Sequence, residues 1–151
     1  MNLFIKKILT KKELTDLSAV ITEAEKKTSG EIRVVVKHHR PFKERKLKLH
    51  ELALKEFCSL GMENTRDRTG VLIFLLLSER KFHIVADEGI HTKVLEGTWD
   101  RIAESMAHRF KSGKFFDGIV KAINAVAGEL SKHFPRKSDD TDELPNKIIE
   151  N

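Results

Sequence analysis

The sequence predicts an α/β fold, a three-layer α/β/α sandwich with helices on both faces of a small mixed sheet of three to four strands. Three observations predict it. Residues 71–77 are seven consecutive apolar side chains, the pattern of a central strand buried on both faces. A second strand pattern, 81–87, returns after the short turn at 78–80 and makes an antiparallel hairpin. A third strand pattern, 31–38, is followed by a helical pattern and then by 71–77, which makes a β-α-β crossover with its two strands parallel.

The elements follow in order. Thr10 and Glu13 have the spacing of a capping box. Leu14, Leu17, Ile21 and Ala24 then recur at helical spacing, so a helix is expected over 11–27, with Gly30 taking a positive φ just beyond its end. In 31–38, Ile32, Val34 and Val36 alternate with Arg33, Val35 and Lys37. Pro41 interrupts the chain, and a helix is expected over about 43–60, with Gly61 as its stop. Residues 64–70 read as a polar loop. Beyond the hairpin, Trp99, Ile102, Met106 and Phe110 share one helical stripe in 98–111. Ile119, Ile123, Val126 and Leu130 do the same in 116–134. Residues 1–135 therefore read as a single domain. Residues 136–151 read as a flexible polar tail, and any fourth strand is short and not placed by pattern.

Composition bounds the class. A chain of 151 residues is long enough for one hydrophobic core. No apolar run approaches the roughly 20 residues of a membrane helix, and the start lacks the apolar region of a signal peptide, so a cytoplasmic location is expected. Cys58 is the single cysteine, which excludes an intrachain disulfide. It lies near Leu54, Phe57 and Leu60 and is expected to act as a small buried hydrophobe. The net charge is +5, but residues 136–151 hold three basic and five acidic side chains. The cations of the stretch 40–55 are interrupted by Glu44, Glu51 and Glu56 and have no aromatic interleaving, so no nucleic acid is expected as partner. Seven histidines are scattered without the spacing of a compact zinc site. No Gly-x-Ser-x-Gly elbow is present.

The topology makes an inference about place. With the first two strands parallel and the third reversed, residues 28–31, 64–70 and 87–89 arrive at one end of the sheet. That end carries Glu31, Asp67 and Asp87, with Thr28, Ser29, Thr65, Arg66, Arg68 and Glu88 lining a crevice. Clustered carboxylates need protons, arginines or cations to compensate them, and hard oxygen ligands suit Ca²⁺ or Mg²⁺. The alternatives are a divalent-cation site or a set of caps and arginine salt bridges at loop ends.

These segments resemble a known family. SGEIR at 29–33, GM at 61–62 with NT at 64–65, GVLIF at 70–74, IVADEGI at 84–90, WDRI at 99–102 and KHFP at 132–135 occur in the order and spacing of the TPM domain family. The family takes its name from a thylakoid lumen protein, a photosystem II repair protein and a nematode receptor modulator. The resemblance runs from about Leu14 to Pro135. It implies an α/β/α sandwich and a crevice at a sheet edge that takes a divalent metal, here Glu31, the 64–70 loop and Asp87. Some plant members are described as acid phosphatases, and many members are attached to membranes. This chain resembles a stand-alone bacterial form. Two functions follow as expectations: a cation-binding interaction module acting on a protein partner, or a metal-dependent phosphate-monoester hydrolase using Asp67 or Asp87.

Overall fold

The computed structural model describes residues 9–65, 67–136 and 148–150. Its centre is a four-stranded sheet in the order β3-β2-β1-β4. Helix α1 (Lys11–Glu25) begins at the expected capping box: the Thr10 hydroxyl accepts from the Glu13 N–H at 3.0 Å, and the Glu13 carboxylate accepts from the Thr10 N–H at 2.9 Å. Strand β1 (Glu31–Lys37) follows and pairs in parallel with β2 (Gly70–Leu76), Glu31 opposite Gly70 and Lys37 opposite Leu76. Strand β3 (Lys81–Ala86) returns antiparallel to β2, Val71 opposite Ala86. All seven residues of β2 are buried, as an uninterrupted apolar run between two helical layers requires.

The two faces are covered unequally. Ile32, Val34 and Val36 of β1 and Val71, Ile73 and Leu75 of β2 face a large core closed by α1, α4 (Thr98–Lys111) and α5 (Phe115–His133). Val35, Leu72, Phe74, Leu76 and Val85 face a smaller core closed by α2 (Leu49–Ser59) and Met62. This is the α/β/α sandwich that the hydrophobic pattern predicts.

Local differences have physical causes. The second helix starts at Leu49 rather than near residue 43, and a 3₁₀ turn, Phe42–Glu44, precedes it. The Arg40 guanidinium donates to the carbonyls of Glu44 and Leu47 at 3.1 and 2.6 Å and pairs with Glu79, so it occupies acceptors that a helix through 43–47 would use. Gly61 ends α2 at φ 72°, as expected. Gly30 does not adopt a positive φ. Its value is packing: a Cβ there would lie 2.8 Å from the Leu130 side chain and 3.1 Å from the Thr69 carbonyl. A one-turn helix, α3 (Glu88–His91), follows β3 and was not expected from the pattern. Strand β4 (Ile149–Glu150) lies within the stretch read as tail and runs parallel to β1, Val35 opposite Ile149. Most of that stretch, 137–147 and 151, lies outside the described residues.

Candidate functional site

The register aligns Glu31, Gly70 and Asp87 in one row across the sheet. Glu31 pairs with Gly70, and the Asp87 N–H donates to the Gly70 carbonyl at 2.9 Å. The three segments therefore meet at one end of the sheet, as the connectivity of the strands predicts. The row also separates them. Two strand spacings put the backbones of Glu31 and Asp87 about 10 Å apart across the sheet. The fully buried Met62 packs over Gly70 between them, its carbonyl 3.2 Å from the place of a Cβ on that glycine. Among the described residues, no group of three or more histidine, cysteine or acidic side chains converges as a metal centre would require.

The expected site residues divide into two groups. Glu31 belongs to a buried network with Arg33 and Glu25: the Arg33 guanidinium lies 3.0 Å from Glu25 and 3.3 Å from Glu31, and all three side chains are at most 4% exposed. Thr28 closes the junction of β1 with the end of α5. Its hydroxyl donates to the Phe134 carbonyl and accepts from the Gly30 N–H. The Ser29 N–H donates to the same Phe134 carbonyl, while its own buried hydroxyl oxygen has no partner among the described residues.

The second group clusters around Asp87. Asp87 is buried and accepts from the Glu88 N–H at 2.8 Å. Arg68 grips it through both carboxylate oxygens, Nε to Oδ2 at 2.8 Å and Nη2 to Oδ1 at 2.9 Å. Arg68 is 46% exposed, reaches the exposed Glu88 at 3.4 Å, and sits on left-handed backbone at φ 55°. Gly89 makes the approach possible: a Cβ there would overlap the carbonyls of Asp67 and Arg68. Asp67 lies in this same loop, half-buried. Thr65 is buried, and its hydroxyl oxygen has no partner among the described residues. Arg66 lies outside the described residues.

Sequence reasoning missed two neighbours of this cluster, Cys58 and Glu63. Cys58 is exposed, not a buried hydrophobe. It follows Phe57, and about 100° of helical rotation turns it away from the core that Leu52, Ala53 and Phe57 fill. A hydrogen bond to Glu63 pushes its thiol pKa up, burial adds to this, and Asp87 contributes a smaller push. The thiol is thus held protonated, the opposite of an activated nucleophile. Glu63 and Cys58 are separated by the Gly61 turn, and only the tertiary path of that turn brings them toward Asp87.

A separate feature lies along the outer side of β3. One cavity of about 740 Å³ is lined by His83, Ile84, Val85 and Ala86, and another of about 340 Å³ by Arg80, Lys81, Phe82 and His83. His50 of α2 meets His83 across the first, Nδ1 to Nε2 at 2.9 Å. Burial lowers the pKa of His83, the neighbouring His50 lowers it further, and Asp100 opposes them.

Comparison with known proteins agrees with the fold. The TPM domain profile matches residues 5–129. The solved structure of the BA42 protein from the psychrophilic bacterium Bizionia argentinensis is 36% identical, covers 95% of each chain and superposes with a TM-score of 0.84. The N-terminal domain of a protein from P. gingivalis is 20% identical over 84% of this chain and 79% of its own, with a TM-score of 0.68. The N-terminal domain of the cg2496 protein from Corynebacterium glutamicum is 12% identical over 89% and 81%, with a TM-score of 0.60. The last two establish likeness of fold alone. A search of functionally curated proteins finds no match. Among the described residues, no helix is long and apolar enough to cross a membrane.

Proposed function

This chain belongs to the TPM domain family, and on that premise we propose that it is a binding module whose working part is the crevice around Asp87, and that this crevice takes a divalent cation, Ca²⁺ or Mg²⁺. One observation carries the reading. Asp87 is a buried carboxylate whose charge is compensated by the half-exposed Arg68 side chain. A buried carboxylate must be paired, and a hard dication satisfies carboxylate oxygens as a guanidinium does. Arg68 and a cation thus compete for the same two oxygens.

The donor chemistry fits such an ion in part. Asp87 and Asp67 offer carboxylates, and Thr65 offers a buried hydroxyl that has no partner among the described residues. Glu31 does not belong to this set, because Met62 stands between it and Asp87 and Arg33 already pairs with it. With fewer carboxylates than a sensor loop, the expected affinity is at the weak end, roughly 10⁻⁴–10⁻³ M.

A Ca²⁺ or Mg²⁺ titration followed by amide NMR tests the reading. Shifts confined to residues near 63–70 and 87–89, lost in Asp87→Asn, are expected. No shifts at millimolar ion would remove the cation from the function. A phosphate-monoester hydrolysis assay on the same samples separates binding from chemistry. Metal-dependent turnover abolished by Asp87→Asn would replace the binding-module reading with an enzymatic one.

A further inference from the structure

The outer backbone groups of an edge strand are unpaired donors and acceptors, a template for another strand unless something covers them. The phase of the ladder identifies them here. The Asp87 N–H bonds to Gly70, so residues 87, 85 and 83 face β2 with their backbone groups. The N–H and C=O groups of Phe82, Ile84 and Ala86 therefore point away from the sheet. Consecutive residues of a strand put side chains on opposite faces, so a cavity that touches each of residues 83–86 in turn must run along the strand's edge. The second cavity continues past Arg80–His83, shares His83 and Asp100 with the first, and completes a groove along the whole of β3. The six residues of β3 span about 20 Å.

The two walls differ in chemistry. The α2 wall offers Leu49 and Leu54, the latter 41% exposed. The α4 wall presents Asp100, Ala103, Glu104 and Ala107, whose i, i+3, i+4, i+7 spacing makes one stripe of carboxylates and small side chains. Among the described residues, Asp100 and Glu104 have no ion pair, although the chain as a whole carries +5. Leu95, 81% exposed, lies at the far end of the groove beside Glu96.

We propose that this groove is a strand-binding site and that its occupant is an extended segment of a partner protein, alternating apolar and basic residues, which adds to the sheet as a fifth strand beside β3. The bound segment would exchange main-chain hydrogen bonds with Ile84 and Ala86, point its apolar side chains toward Leu49 and Leu54, and point its lysines or arginines toward Asp100 and Glu104. The walls select a single slender strand. A second copy's β3 carries its own α2 and α4 walls, which would collide with these. The proposal adds a partner surface to the binding-module reading and stands or falls apart from the cation crevice.

The probe is a seven-residue blocked peptide alternating valine and lysine, titrated into the ¹⁵N-labelled full chain. The expected result is amide shifts confined to residues 49–54, 81–86 and 99–107, with slowed hydrogen exchange at Ile84 and Ala86. Ala86→Pro removes an outward donor without touching a β2 bond, as proline on a sheet edge allows, and should weaken binding about tenfold, the equivalent of one net hydrogen bond. Asp100→Lys combined with Glu104→Lys should exchange the preference for the lysine peptide for its glutamate counterpart. Unchanged peptide affinity in a folded Ala86→Pro variant would overturn the proposal. So would shifts confined to 63–70, no shifts at millimolar peptide, or concentration-dependent dimerisation through β3 without peptide binding.

Discussion

At the β1 edge of the sheet, the outward N–H of Ile32 donates to the Glu25 carboxylate at 2.7 Å, and its outward carbonyl accepts from the Arg33 guanidinium. A little further along, Val35 and Val36 lie beside β4. At the β3 edge, the equivalent groups of Phe82, Ile84 and Ala86 face a groove. The same sheet thus closes one edge with a buried ion network that substitutes for a missing strand, and leaves the other edge to a cavity walled by two helices. Exposed strand edges invite unwanted pairing and are ordinarily blunted, so an open edge between shaped walls reads as a surface for use. The Asp87–Arg68 cluster adjoins the open edge. Glu88 lines the groove and also pairs with Arg68.

Mutations at the closed edge should cost the most. Arg33→Ala leaves Glu25 and Glu31 buried without their common cation and strips the Ile32 carbonyl of its donor. A loss of about 4 kcal/mol is expected in urea unfolding, the range for breaking a buried pair. A loss below about 1 kcal/mol would mean that water reaches this edge. Ile84→Ala should follow at about 3 kcal/mol, because Ile84 is only 5% exposed. That result would show that the β3 edge is open in its backbone polar groups and not in its side-chain packing. Arg68→Ala should have a smaller effect, seen as a modest drop in thermal midpoint that millimolar Ca²⁺ partly restores. Ca²⁺ protection of the parent chain but not of the variant would invert the competition argued for Asp87.

The smallest effect is on pH. Burial holds the pKa of His83 below its ordinary 6.5. Between these two values the unfolded chain binds more protons than the folded one, so stability rises with pH. The full contribution is present above pH 6.5 and is lost as pH falls through the depressed folded value. His83→Gln should flatten this part of the stability–pH curve. A slope that persists in the variant would assign it to another histidine.

Periodicity and punctuation carried most of the fold. The seven-residue apolar run, the capping box at Thr10 and the stop at Gly61 each act through a few neighbouring residues, and each appears where it was expected. Helix α2 started late because Arg40, outside the helix, holds the carbonyls of the preceding turn. The candidate site was legible as a place: parallel and antiparallel connections alone bring residues 31, 70 and 87 into one row. Its membership was not legible. Whether Glu31 shares a site with Asp87 depends on Met62 packing over Gly70, and the approach of Cys58 and Glu63 depends on the path of a turn.

The amino-acid order by itself determined the three longer strands, the four longer helices, most of the residues that face the core, and which end of the sheet collects the polar loops, because these follow from short-range spacing and chain connectivity. Only the tertiary structure decided how each buried charge is compensated, that Glu25 and Arg33 seal one sheet edge, and that a groove runs beside the other. Those outcomes depend on side chains distant in sequence meeting at distances of 3 Å or so, and no local pattern encodes such a meeting.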